Sequence, residues 1–178
     1  MIGRNRFNKY LLTVAVLVLA AGCQTSSSES KKDKKLHATL RVHLEASAWS
    51  ADDTEEASIV RANPVKLVVQ KEPILSEADV ASAKALDTLV GPAVQLRLRQ
   101  HGTWILEQNT ADNLGRHLAM FCQFGENLGE HRWLGVTKIT RRIADGVITF
   151  TPDASHEELA QILTGWTNTI KEVDKALK

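Results

Sequence analysis

The side chains able to do chemistry are two thiols, six imidazoles and two adjacent acid pairs. Nucleophilic catalysis needs a hydroxyl or thiol beside a base, and a metal site needs clustered ligands. His37, His43, His101, His117, His131 and His156 form no His-x-x-x-His and no Glu-flanked zinc spacing. There is no Gly-x-Ser-x-Gly elbow and no phosphate-binding loop. Asp52-Asp53 and Glu55-Glu56 fall in a small, acidic stretch, 50–58, that reads as a loop with solvated carboxylates. The sequence therefore predicts no catalytic residue, no metal ligand and no cofactor. Cys122 lies between Phe121 and Phe124 in an apolar segment read as helical. A buried, inert thiol is expected there, a reactive or intermolecular thiol being the alternative.

Cys23 has a different setting. Arg4, Arg6 and Lys9 precede an apolar run, residues 11–21, in which Thr13 is the only polar residue. That run suits the apolar centre of an export signal and is far short of the roughly 20 residues that span a bilayer as a helix. It ends in Leu19-Ala20-Ala21-Gly22-Cys23, which resembles the lipobox of bacterial lipoprotein signals. The resemblance implies cleavage before Cys23, a thioether-linked diacylglyceryl group on its sulfur and an acyl chain on its new amino group. Each buried methylene contributes about 0.8 kcal/mol, so several chains anchor a protein durably. The alternative is an ordinary secretory signal cleaved near Gly22. Residues 24–35, QTSSSESKKDKK, contain nothing apolar and read as a flexible tether. Gln24, which is not Asp, leaves outer-membrane sorting open by analogy with enteric lipoproteins. The expected organisation is a signal peptide at 1–22, lipidated cysteine and tether at 23–35, and one domain at 36–178.

Charge follows that division. The whole chain has 22 Lys and Arg against 21 Asp and Glu; without the three leader cations the count is 19 against 21, and without the tether 15 against 19. A mildly acidic domain lacks the basic footprint of a nucleic-acid binder.

The elements that must position these groups are read from periodicity. Apolar residues alternate at Leu40, Val42 and Leu44, at Val65, Leu67 and Val69, and at Val94, Leu96 and Leu98, giving three strands. Ser76 and Asp79 form a capping box that predicts a helix over 76–89, broken by Gly91-Pro92. His101-Gly102-Thr103 reads as a turn and 104–107 as a continuing edge. Thr110 is expected to cap a helix burying Leu114, Leu118 and Phe121, followed by a loop at 125–129. Strands over 133–144 and 147–150 flank Asp145-Gly146, a dipeptide suited to a hairpin. A second capping box, Ser155 and Glu158, opens a final helix with an apolar stripe of Leu159, Ile162, Leu163, Trp166, Ile170 and Val173. Gly165 inside it lowers helix propensity by about 1 kcal/mol relative to Ala, which suggests close packing. Trp49, Trp104 and Trp133 are assigned to the core. The order ββ-α-β-α-ββ-α predicts an α+β fold: a ferredoxin-like two-layer sandwich, its sheet mostly antiparallel, with helices on one face.

Glu107-x-x-Thr110-x-x-Asn113-Leu114-Gly115-Arg116-x-Leu118-Ala119 resembles the first extracytoplasmic (head) domain of the protein-export factor SecD, where such a phrase is expected to follow a strand and open a helix. Ile143-x-x-Gly146 and Ser155-His156-Glu157-Glu158-Leu159-Ala160 continue the pattern, so the similarity runs over about 65–163. The chain departs from it at Met120-Phe121-Cys122-Gln123-Phe124 and at Thr137, where an acidic-glycine pair and a proline are usual. No second membrane-spanning stretch follows the signal, so the resemblance covers the head-type domain and no proton pathway. Asn113, Gly115 and Arg116 are candidates for a partner-binding edge, a role in maintaining the fold being the other reading. Gly115 is expected to let a helix approach the sheet, and Arg116 to point outward.

The resemblance implies a non-enzymatic, envelope-located module that contacts protein or peptide, in export or envelope assembly, on the extracytoplasmic side of either membrane. The alternatives are a structural subunit of an envelope complex, for which an exposed tryptophan pair would speak, and an envelope hydrolase.

Overall fold

The computed structural model describes residues 36–47, 53–60, 64–89 and 91–177. Cys23, the leader and the whole tether lie outside them, as do Trp49 and Asp52. Nine strands and two α-helices are described: β1 (Thr39–Leu44), β2 (Thr54–Ile59), β3 (Val65–Gln70), β4 (Leu75–Ser76), β5 (Val80–Thr88), β6 (Gly91–Leu98), α1 (Gln100–Asp112), β7 (His117–Phe124), β8 (Glu130–Lys138), β9 (Val147–Phe150) and α2 (His156–Ala176). The strands form three antiparallel sheets, ordered β4-β1-β7-β8, β2-β3 and β5-β6-β9. The fold is α+β, with the helices and sheets layered around one main core.

Alternation explains that core. Leu40, Val42 and Leu44 of β1 and Leu118, Met120 and Cys122 of β7 point to one side, meeting Val94, Leu96 and Leu98 of β6, Leu106 of α1 and Leu159, Ile162 and Trp166 of α2. On the other side of the four-stranded sheet, Ala119 and Trp133 pack against Ala57, Val69 and Leu67 of the β2–β3 ribbon. His43 is buried there, 3% exposed, between the Phe121 and Trp133 rings, and its Nδ1–H donates to the Gln70 carbonyl at 2.8 Å. The central strand β7 is thus covered on both faces.

The final helix forms as its local signals dictate. Ser155 Oγ accepts from Glu158 N–H and the Glu158 carboxylate accepts from Ser155 N–H, closing the capping box. Trp166 Nε1–H donates to the Thr39 carbonyl at 2.9 Å, and Thr169 Oγ1 to the Ala38 carbonyl at 3.0 Å. A Cβ on Gly165 would lie 2.9 Å from both the Cβ of Ala38 and the carbonyl carbon of His37, so the missing side chain is what lets α2 reach β1.

Five expectations are corrected. The Ser76–Asp79 box is present, but it caps only a 3-10 turn, Glu77–Asp79; the segment expected as helix is β5, which pairs along β6. Its Ala-Lys-Ala-Leu composition favours helix only weakly, and cross-strand pairing overrides it. Residues 101–107 are helix rather than turn and edge; Gly102 is there not to turn the chain but to let α1 cross that 3-10 turn, since a Cβ would be 2.8 Å from Asp79 Cβ. Residues 117–124, including Cys122, are strand β7 rather than helix. Part of the acidic loop is strand β2, paired residue for residue with β3, its Glu55 and Glu56 exposed. Residues 133–144 and 147–150 do not form a hairpin: β8 pairs with β7 and β9 with β6.

Candidate functional site

The SecD-like phrase forms a corner between α1 and β7. Thr110 is fully buried near the end of α1; its hydroxyl donates to the Leu106 carbonyl at 2.7 Å and accepts from Ile143 N–H at 2.9 Å. Asn113 caps the helix end, donating from Nδ2 to the Asn109 carbonyl at 2.8 Å. Gly115 has φ +85° and open space where a Cβ would be. Its role is the left-handed turn and not the close approach expected of it. Gly115 N–H donates to the Ile139 carbonyl and Ile139 N–H to the Arg116 carbonyl, both at 2.8 Å. Leu118 and Ala119 then enter the two cores. The phrase closes a helix and opens a strand, the reverse of the expected order. Asn113 and Arg116 are half-exposed and Gly115 is exposed.

Beside this corner, α1 turns one face outward. Gly102, Leu106 and Thr110 are buried, while Trp104, Gln108 and Ala111 are exposed. Trp104 is 62% exposed, which corrects its assignment to the core, and Leu114 in the corner is 59% exposed. A groove of about 270 Å³ runs along Trp104, Glu107, Gln108 and Ala111, with Arg142 at its side. The Arg142 guanidinium donates to the Glu107 carboxylate and fixes that wall. Of the other tryptophans, Trp166 is buried and Trp133 half-buried in the second core. Sequence reasoning missed Trp104 because 101–107 was not read as helix. Read as one, the segment places Trp104 opposite Leu106 and Thr110.

The titratable groups serve the fold. His37, His43, His101 and His117 each sit within 4.0 Å of a carboxylate, respectively Glu172, Glu55, Asp79 and Glu45, and each pair joins two segments distant in sequence. The closest is His117 Nδ1–H to Glu45 Oε2 at 2.7 Å, an oxygen that also accepts from His117 N–H. Burial pushes the Cys122 thiol up to about 12, so the thiolate is suppressed at neutral pH. The Ser155 backbone N–H holds the Glu158 carboxyl below its ordinary value. A depression of about 310 Å³ beside Phe124, Gly129, Glu130, His131 and Arg132 is lined by no Ser, Thr or Cys. Among the described residues no group of three or more His, Cys, Asp or Glu could hold a metal ion. No helix among them is long and apolar enough to cross a membrane.

What the arrangement offers is contact surface: an exposed indole, an exposed leucine at the corner and a shallow, open groove. The chain is similar to a solved SecDF structure, described as a membrane component that enhances protein export, with a TM-score of 0.53, 18% identity, 83% of this chain covered and 70% of that one. It is similar to SecDF in a super-membrane-facing form with a TM-score of 0.53 and 19% identity, over 83% of this chain and 21% of that chain. At these identities the likeness is one of fold. No curated protein matches. Residues 52–165, which hold the corner, the α1 groove and the Ser155 cap, match the family described as SecDF, P1 head subdomain. The chain belongs to the SecDF P1 head family.

Proposed function

We propose that this chain is a non-enzymatic accessory module of protein export, anchored through lipid on Cys23 and contacting polypeptide through the outward face of α1. The observation that carries the reading is Trp104, 62% exposed on the helix that leads into the family's own corner. A folded domain leaves a large indole in water at a cost of order a few kcal/mol in lost burial, and such residues recur as anchors of interfaces. Asn113, Gly115 and Arg116, past the opposite end of α1 from Trp104, extend that surface with backbone and side-chain polar groups beside Leu114. Family membership supports an export setting, since the SecDF of similar fold enhances protein export. The lipobox-like Cys23 supports an extracytoplasmic site on a membrane, and tether residues 24–35 supply reach. The domain takes protein or peptide as partner and needs no cofactor, metal or nucleic acid.

The test is a photoreactive amino acid placed at position 104 of the full-length lipoprotein in intact cells, with Glu56 on the opposite ribbon as control. Crosslinks from position 104 to exported precursors or export-channel subunits, absent from position 56, support the reading. Equal labelling from both positions, or none from 104, contradicts it.

A further inference from the structure

We propose that the seam between β8 and β9 takes a short, extended, acidic peptide stretch as an added strand, an inference that rests on polypeptide being the partner. β8 ends the four-stranded sheet and β9 ends the three-stranded sheet, and no ladder joins them. They touch at one end only: Asp153 N–H donates to the Leu134 carbonyl at 2.6 Å, and the Phe150 ring lies over Gly135, where a Cβ would come within 2.5 Å of it. Beyond that contact lies a cleft of about 220 Å³ whose lining includes Thr137, Lys138, Arg141, Asp145, Val147 and Thr149.

Backbone phasing turns unused hydrogen-bonding groups toward this cleft. The His117 carbonyl accepts from Glu45 N–H at 2.9 Å and so faces β1; Leu118 and Met120 therefore face β8, opposite Thr137 and Gly135. That leaves Val136 and Lys138 facing away from β7, in phase with Leu134. On β9, Leu98 N–H donates to the Gly146 carbonyl at 2.8 Å, so Ile148 and Phe150 face β6, and Val147 and Thr149 face away. The Val147 N–H is taken by Asp145 Oδ1 at 3.1 Å, which leaves its carbonyl for a newcomer. Open edges of this kind are what strand addition uses, with main-chain bonds giving affinity and lining side chains giving preference.

Charge selects the occupant. Lys138 is exposed at the mouth without a carboxylate partner among the described residues, and Arg141 pairs only with exposed Asp145, at 3.4 Å. Two cations against one acid make a locally positive lining on a domain that is acidic overall. An extended segment with alternating acidic and β-branched residues fits both the edge and the charge.

The test measures anisotropy of a labelled, alternating Glu/Val/Thr decapeptide with full-length protein in detergent. The same peptide with alternate amides N-methylated, and one with Lys in place of Glu, serve as comparisons. The acidic peptide is expected to bind, and N-methylation to weaken it by about tenfold or more, because each lost bond leaves a buried group unpaired. Lys138→Glu and Val136→Pro should each weaken it, while Gln161→Ala, on the exposed face of α2, should not. Lys138→Glu, an exposed change, stands if Val136→Pro fails to fold. Unchanged binding of the N-methylated peptide, or of Lys138→Glu, overturns the inference. So does self-association of the chain that Lys138→Glu abolishes, which would make a second copy the occupant. No binding of the peptide, with position 104 still crosslinking to precursors, overturns the seam alone; failure of both removes the polypeptide-contact reading as well.

Discussion

Replacing Gly165 with alanine sets two effects of opposite sign against each other. In an isolated helix the change is favourable by about 1 kcal/mol. Here the new Cβ would sit 2.9 Å from Ala38 Cβ and from the His37 carbonyl carbon, and 3.0 Å from Ala38 N. Two of these neighbours are backbone atoms, which cannot swing aside. Relief requires α2 to move off β1, and that lengthens the bonds from Trp166 Nε1 to Thr39 and from Thr169 Oγ1 to Ala38. Overpacking costs about 1–3 kcal/mol and each weakened bond about 1 kcal/mol, so steric and bonding losses exceed the propensity gain. The expected net effect is a destabilisation of about 2–4 kcal/mol, read as a lower urea midpoint at unchanged m. Gln161→Ala, on the exposed face of the same helix, is the control and should change stability by less than about 0.5 kcal/mol. A Gly165→Ala protein as stable as the parent, or more so, would refute the close approach of α2 to β1.

Three further expectations follow from the same structure and a fourth from the sequence. Thr110→Val keeps the shape of the α1–β7 corner but leaves Ile143 N–H without its acceptor, and should cost about 1–3 kcal/mol by urea unfolding. Cys122 should resist iodoacetamide at pH 8 in the folded protein and react at once in denaturant, since burial holds its thiol at about 12. Ser155→Ala should cost about 1 kcal/mol by removing the cap of α2. The same variant should still lose stability in acid much as the parent does, because the Ser155 backbone N–H that chiefly holds Glu158 low is kept: the folded Glu158 value lies below the unfolded one, so its contribution is present above the ordinary carboxylate range and is lost as pH falls through the folded value. Cys23→Ser should move the full-length protein from the detergent phase to the aqueous phase of a detergent partition.

The segments legible in the sequence were those whose environment is simple. β1, β3 and β6 alternate because each has one face on a core and the other toward solvent or a thinner layer. α2 carries its own capping box and a continuous apolar stripe, so local signals and packing agree. β7 was not legible because both its faces are buried, and an unbroken apolar run has no period to distinguish strand from helix. α1 makes its contacts through Gly102 and Thr110 as much as through Leu106, so its buried side is not apolar in composition. β5 is exposed over most of its length and is held by pairing rather than burial, which leaves only a weak and misleading propensity. The SecD-like phrase was recognisable while its mechanics were not: which of its residues turn, cap and bond depends on Ile139 and Ile143, far along the chain. Exposure of Trp104 depends in turn on the direction of α1.

The most direct test of the account is a crosslinking pull-down from native membranes with tagged full-length protein and a Cys23→Ala control. The account predicts recovery of exported chains or export-channel subunits, lost in the control. Recovery of outer-membrane or cell-wall components alone would contradict it and reduce the SecDF relationship to one of fold.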